Sequence, residues 1–311
     1  MASRLPKISI IGAGTVGSTL ATALFDKGYP IVSVISRTGA TAIRLGHSVK
    51  CKKISTQISD IASNTDIVFI TVSDSAIEKV AIDLAKTKTL KFKKLFAAHS
   101  SGVHSVDVLE PIRKKGALVG SIHPIQTFPS SLKISRLQTK LRSIYYGIEG
   151  NTESIKKAEE IIENLGGHSI IITKNLKPLY HVACVFASNY MTMFLNTISE
   201  LSRTLELKAS WAEVFGPLMM TTMENVIQSS AAASLTGPIV RGDFETIDLH
   251  LQTLAEYAPH FLPIYTIGGI EVARIAKEDG KITQENFNEI IIKFRRFIKS
   301  SSIKKISKVK R

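Results

Sequence analysis

Ile10-Ile11-Gly12-Ala13-Gly14-Thr15-Val16-Gly17 is the stretch on which the fold turns. An apolar run, Ile8 to Ile11, leads into it, and an amphipathic stretch with helical periodicity, Thr15 to Lys27, leads out. Each glycine has its own reason to be there. Gly12 permits a tight turn. Gly14 keeps a Cβ away from the backbone face that a pyrophosphate would approach. Gly17 lets the helix pack closely on the strand. The helix N-terminus then offers free N–H groups and a partial positive charge to an anion. The spacing predicts a dinucleotide-binding turn in which Gly12, Ala13, Gly14, Thr15, Val16 and Gly17 contact the cofactor. A purely structural glycine turn is the alternative, and the strand-to-helix setting argues against it.

Outward from this turn, short apolar runs alternate with helical stretches. Strands are expected at Ile31 to Ser36, Ile67 to Val72, Leu95 to Ala98 and Ala117 to Ile122. Helices are expected from Thr41 and over Ala76 to Lys86, with another between the last two strands. Strands that are apolar throughout, separated by helices, imply a parallel sheet covered on both faces, a doubly wound Rossmann arrangement. A further strand (Ser143 to Ile148), a helix (Glu153 to Leu165) and a strand (Ile170 to Thr173) extend this domain over residues 1–173. Beyond Leu179 helical periodicity takes over: His181 to Leu205, Ala209 to Ser230, Phe244 to Glu256, Pro259 to Lys277 and Glu285 to Lys299. An all-α domain is therefore expected over 174–299, followed by a basic tail, 300–311.

The chain has 311 residues, 44% hydrophobic and 21% charged, an ordinary globular profile. No apolar stretch is long enough to span a bilayer, and the residues before the first strand are not expected to form a secretory leader. Cys51 and Cys184 stand far apart with no partners at metal-ligand spacing, so neither a disulfide framework nor a metal site is expected, and a reducing cytoplasm fits. The formal net charge is +14, but nine basic residues, from Lys293 to Arg311, follow the last acid, Glu289. With no aromatic residue after Phe297 to stack on bases, a solvated tail is the expected reading, and a nucleic-acid partner is not expected.

The end of the second strand bears on cofactor choice. An NAD-specific site places Asp or Glu there for the ribose 2′-hydroxyl. This chain has Ser36-Arg37-Thr38, a guanidinium flanked by hydroxyls and suited to a 2′-phosphate, so NADPH is expected over NADH. A simple surface arginine is the other reading. Val72, Ser73 and Asp74 follow the middle strand and are expected to line the cofactor, with Asp74 an N-cap in the alternative.

His99-Ser100-Ser101-Gly102 and His123-Pro124-Ile125-Gln126-Thr127-Phe128 follow the next two strands and face the same crevice. His123 is a candidate proton donor or polarising group, with a structural histidine as the alternative. Ser100 is a candidate cofactor contact, and Ser101 and Gln126 are candidate substrate contacts. His181, Cys184, Ser188 and Asn189 share one helical face, from which His181 and Asn189 are candidates for the chemistry and Ser188 for substrate binding. Packing and interhelical hydrogen bonding would explain that stripe equally well. Arg241, in Leu235 to Asp243, either clamps a substrate carboxylate or pairs with Asp243.

These segments carry a resemblance. Ile11 to Gly17, His99 to Gly102, His123 to Phe128, Ala187-Ser188-Asn189-Tyr190 and Leu235 to Asp243 resemble Rossmann-like proteins with domain of unknown function 2520. That family lies in the superfamily of pyrroline-5-carboxylate reductase and the 6-phosphogluconate-type dehydrogenases. The resemblance runs from the first strand to about Ala276 and implies NAD(P)-dependent oxidoreductase activity on an unassigned substrate. Gly120-Ser121-Ile122-His123-Pro124 is also similar to a segment of prephenate and arogenate dehydrogenases, whose histidine contacts the substrate's ring hydroxyl, though with one residue too many before the histidine. The expected activity is hydride transfer between NADP(H) and a small carbonyl, imine or hydroxy compound. A non-catalytic NADP(H)-binding regulator and a prephenate dehydrogenase-like enzyme are the alternatives. The long apolar helices, and the habit of the superfamily, imply a homodimer.

Overall fold

The structure, a computed structural model, describes residues 4–300. The basic tail expected from residue 300 lies outside the described residues apart from Ser300, which ends the last helix. The chain divides into two compact units, Met1–Asn189 and Tyr190–Arg311.

The first unit is built on an eight-stranded sheet: β1 (Ile8–Ile11), β2 (Ile31–Ile35), β3 (Ile54–Ser55), β4 (Ile67–Ile70), β5 (Phe96–His99), β6 (Leu118–Pro124), β7 (Tyr145–Gly150) and β8 (His168–Ile171). Their spatial order is β3-β2-β1-β4-β5-β6-β7-β8. β1 to β6 run parallel, and the order reverses at β1, which lies between β2 and β4. This is the doubly wound Rossmann arrangement. The helices are α1 (Thr15–Asp26), α2 (Gly39–Ser48), α3 (Ile77–Ala85), α4 (Glu110–Arg113), α5 (Ile134–Thr139), α6 (Thr152–Leu165) and α7 (Lys177–Val185). Successive strand residues face opposite ways, so a strand buried on both sides must be apolar throughout. Ile8, Ile10, Ile67 and Phe69 enter one core, and Ile11, Val68 and Ile70 enter the other.

The strands up to β6 are parallel, as expected, and the further strands bring one reversal. β7 pairs antiparallel with β6, and β8 then runs parallel to β7. The link from β6 to β7 holds only the short α5, which packs on α1 and makes no crossover, so the chain returns in the opposite sense. α6 does cross over. Asn151 caps it by accepting from Ser154 N at 2.9 Å, and Gly166, left-handed at φ +81, ends it.

The antiparallel ladder has a consequence for the site. It carries β6 two residues beyond the expected Ile122, so His123 lies within the strand, opposite Gly147, and does not follow it. The expected helix from His181 to Leu205 is also divided. α7 begins at Lys177 with Pro178 in its first turn, a π-helical turn spans Phe186–Tyr190, and α8 (Met191–Thr204) continues. The boundary between the units falls within this π-turn, sixteen residues beyond the boundary expected at Thr173.

The second unit contains α8, α9 (Trp211–Gln228), α10 (Ala231–Ser234), α11 (Pro238–Arg241), α12 (Phe244–Tyr257), α13 (Leu262–Glu278) and α14 (Gln284–Ser300). Its core joins Ile247, Leu251, Leu262, Ala273, Ala276, Ile290 and Phe294. Asp243 caps α12 by accepting from Thr246 N at 3.1 Å. Among the described residues no helix is long and apolar enough to cross a membrane, and no cluster of His, Cys, Asp and Glu could hold a metal ion.

Candidate functional site

The turn between β1 and α1 is tied down from both neighbouring strands. Gly12 N donates to Ile35 O at 2.7 Å, Thr71 N donates to Ile11 O at 2.8 Å, and Thr71 Oγ1 donates to Gly12 O at 2.7 Å. Gly12 is left-handed at φ +109, and a Cβ on it would fall 2.7 Å from the Thr71 carbonyl. A Cβ on Gly17 would collide with Gly12 O and Thr71 Oγ1. Gly14 is different: nothing lies within 4 Å of the position its Cβ would take. Gly12 and Gly17 therefore serve the fold, while Gly14 borders open space at the start of α1. No side chain caps this helix, and no acid stands in its first turn. The first N–H groups of α1 are thus aimed at the open space over Gly14. That combination fits a bound phosphate, with Ala13, Thr15 and Val16 supplying the surrounding backbone.

Beyond β2, Ser36 Oγ lies 3.0 Å from Thr41 Oγ1, and Thr41 donates to Thr38 O at 2.8 Å. Arg37 and Thr38 are exposed. Residues 36–41, which follow β2, include no Asp or Glu, and on the neighbouring β3 Ser55 Oγ donates to the Asp60 carboxylate at 2.5 Å. Val72, Ser73 and Asp74 follow β4 at the same edge of the sheet. The N-cap alternative for Asp74 does not hold, because Asp74 is the first residue of a 3-10 turn, Asp74–Ala76, and caps nothing with its side chain.

The His99 loop is largely structural. His99 is fully buried, its Nδ1 accepts from Ser101 N at 3.1 Å, and its Nε2 faces Ser105 O at 3.3 Å. Burial, and then the charge of Lys177, push its pKa down to about 3, so the ring is neutral. Ser101 is also buried, and its hydroxyl accepts from Val103 N at 3.3 Å and His104 N at 3.1 Å. The expectation that Ser101 contacts substrate is therefore corrected: its oxygen holds the turn. Ser100 is partly exposed, with its N–H bound to Ile70 O at 3.2 Å.

His123, Gln126, His181, Cys184, Ser188 and Asn189 line one cavity of about 280 Å³. The structure thus brings together five residues that the sequence singled out on two separate segments, together with Cys184. The His123 and His181 rings lie 6.2 Å apart, centre to centre. A Cβ on Gly102 would fall 2.6 Å from His181 Cδ2 and 2.9 Å from both Cε1 and Nε2 of His123. Gly102 is therefore the gap through which both rings approach the turn. Burial, then His181 and Lys177, push the His123 pKa down to about 4, and Asp74 opposes them weakly. Gln126 Oε1 accepts from Thr127 N at 2.9 Å, and Ser188 Oγ lies 2.8 Å from Cys184 O and 2.9 Å from Asn189 Oδ1. Burial pushes the Cys184 thiol up, opposed by its hydrogen bond with Tyr180, so the thiol is protonated at neutral pH. Arg241 belongs to the second unit, where its guanidinium lies 3.8 Å from Asp243; this is the pairing alternative.

Sequence reading missed Lys177, Tyr180, Gly147 and Glu149. The Lys177 ammonium is buried, donating to Ser121 Oγ at 2.6 Å and to Glu149 Oε2 at 3.0 Å. Glu149 Oε1 accepts from Val106 N at 3.1 Å. Burial pushes the Lys177 amine below its ordinary range, and Glu149 and then Asp74 pull it back. This pair fastens the first turn of α7 to β6 and β7. Tyr180 Oη lies 2.6 Å from His123 Nδ1. Lys177, Tyr180, His181 and Cys184 follow at spacings of three and four, one face of one helix. The missed signal was Pro178, a first-turn proline that marks a helix start at Lys177.

Several solved structures share this architecture. A protein from Bacteroides fragilis described as an NADP oxidoreductase is 24% identical, with a TM-score of 0.73 over 87% of this chain and 98% of that one. A Thermotoga maritima protein is also 24% identical, with a TM-score of 0.68 over 87% and 99% of the two chains. An imine reductase from a Pseudomonas species is 18% identical, with a TM-score of 0.55 over 96% of each. At these identities the likeness is one of fold. No curated protein sequence matches the chain. Residues 2–124 match the Rossmann-like domain, and residues 144–270 match the domain of unknown function DUF2520. The chain thus carries a match to the Rossmann-like domain over β1 to β6 and a match to DUF2520 over β7, β8 and the helices from α6 to α12.

Proposed function

We propose that the chain is an NADP(H)-dependent oxidoreductase acting on a small carbonyl, imine or hydroxy compound. The observation that carries the reading is the half-buried, neutral His123 lining a cavity at the same sheet edge as an uncapped, glycine-bordered helix N-terminus. The bound nicotinamide would supply or accept the hydride. The chain's residues do the rest. Gly14 and the first N–H groups of α1 hold the pyrophosphate. Ser36, Arg37 and Thr38 take the 2′-phosphate, which favours NADPH over NADH. With its pKa near 4, His123 at neutral pH carries one ring proton. It acts as a hydrogen-bond donor that polarises the reacting group, not as a source of a full proton. His181, Gln126, Ser188 and Asn189 orient the substrate around it. The names borne by the Bacteroides fragilis protein and the Pseudomonas imine reductase agree with this reading. His123→Asn should lower turnover by roughly a hundredfold or more, the usual cost of losing one such donor, with NADPH affinity nearly intact. Undiminished turnover would remove His123 from the mechanism.

We also propose that a second copy of the chain covers part of the helical unit. α9 runs for 18 residues without a buried one, although it carries Leu218, Met220, Met223 and Ile227. Exposed apolar surface of this extent is characteristic of an interface. Light scattering that finds a monomer at micromolar concentration would reject the proposal.

A further inference from the structure

We propose that Tyr180 is a positioning residue that holds His123 in its Nε2–H tautomer, so that the ring offers an N–H, not a lone pair, on its Gly102 side. The inference rests on the reading of His123 as the polarising group. For a substrate that meets the ring at Nε2, it also narrows the reacting atom to one that accepts a hydrogen bond.

The contact between Tyr180 Oη and His123 Nδ1 is short, 2.6 Å, and the two rings meet edge to face at 90°, with centres 5.6 Å apart. The hydroxyl's place is made by the backbone. Gly147 stands opposite His123 in the β6–β7 register, and a Cβ there would fall 2.6 Å from Tyr180 Oη. Two arrangements satisfy the contact: the phenol donates to Nδ1, or Nδ1–H donates to the phenol oxygen. A phenol is a stronger acid than a neutral imidazole N–H, and an unprotonated imidazole nitrogen is a stronger base than a phenol oxygen. The first arrangement therefore pairs the better donor with the better acceptor. Burial, and then the Cys184 thiol that also hydrogen-bonds the phenol, favour it further by raising the Tyr180 pKa, which keeps the proton on oxygen. A neutral imidazole carries one ring proton, so an Nδ1 that accepts leaves that proton on Nε2. Nε2 and Cε1 are the atoms that face the gap at Gly102. The charged and titratable groups facing the pair are His181 and Lys177 from α7 and Asp74 from the turn after β4, with His99 on β5 and the Cys184 thiol beside the phenol.

The consequence is a choice of substrate chemistry. An Nε2–H stabilises a carbonyl oxygen or an unprotonated imine nitrogen as it gains negative charge from the arriving hydride. A protonated iminium presents its own N–H and would need an acceptor, which the other tautomer alone supplies.

The test reads the tautomer directly and needs no substrate. Nitrogen-15 NMR on histidine-labelled protein near neutral pH, with the His123 signal assigned by its loss in His123→Gln, is expected to show the proton on Nε2. Tyr180→Phe keeps the ring and removes the donor. Gly147→Ala keeps the donor and displaces it. Both should move the tautomer ratio toward Nδ1–H by roughly five- to tenfold, the worth of one hydrogen bond. A proton on Nδ1 in the unaltered protein overturns the proposal whatever the variants do, and so does an unchanged ratio in both variants. Normal turnover by His123→Asn alongside the expected tautomer would reject only the catalytic role of His123, so the two failures are distinguishable.

Discussion

Replacing Lys177 with Met removes a buried ammonium whose side chain is 2% exposed, beside a Glu149 side chain that is 8% exposed. Glu149 then keeps only Val106 N, at 3.1 Å, while Ser121 Oγ loses its donor at 2.6 Å. Removing one partner of a buried ion pair typically costs about 3–5 kcal/mol, because the remaining charge is stranded in a low dielectric. In a folded unit of this size each kcal/mol lowers Tm by roughly 2–4 °C, so K177M should melt on the order of 10 °C below the parent protein. A second variant separates the stranded charge from the lost packing. In K177M/E149Q that charge is gone, yet the amide oxygen can still accept from Val106 N. The double variant should therefore recover about 2 kcal/mol relative to the sum of the single changes. Thermal unfolding followed by circular dichroism measures both quantities. A fall of under about 2 °C in K177M, or strictly additive single variants, would refute the claim that a desolvated pair anchors α7 to the sheet.

Gly14→Ala should leave Tm within a few degrees of the parent, since its Cβ meets nothing within 4 Å, yet cut NADPH affinity at least tenfold; Gly17→Ala should instead destabilise the unit without any ligand present. Arg37→Ser should weaken NADPH by about 1.5–3 kcal/mol, roughly ten- to a hundredfold in Kd, and leave NADH almost unaffected; equal losses by calorimetry would place Arg37 away from the 2′-phosphate. His99 has a folded pKa of about 3 against an ordinary 6.5, so between these values the unfolded chain binds the extra proton. Stability contributed by the neutral ring is complete above about pH 6.5 and is lost as pH falls toward 3, about 2 kcal/mol of it by pH 5. His99→Asn, whose Oδ1 can still accept from Ser101 N and which does not titrate, should flatten that slope in urea titrations; an unchanged slope would show that His99 is not the group responsible.

How much of the molecule was legible in its residues differs from element to element. Local patterns in the sequence determined the Rossmann half and the helical character of the second unit. An apolar strand running into Gly12, Gly14 and Gly17 leaves few conformations open, because sterics at φ +109 and the close packing against Thr71 act within a few residues of the turn. The candidate histidines were visible as residue types at strand ends. Tertiary structure alone decided how they meet. The antiparallel return of β7 carried His123 into the strand and set Gly147 opposite it, and strand pairing between segments 24 residues apart has no local signature. The ion pair of Lys177 with Glu149, 28 residues distant, and the 57-residue reach from His123 to Tyr180 are equally invisible along the chain. A sequence records which groups are available and how each short segment folds. Which of them become neighbours, and so which ring nitrogen carries a proton, is settled only when desolvated surfaces pack against one another.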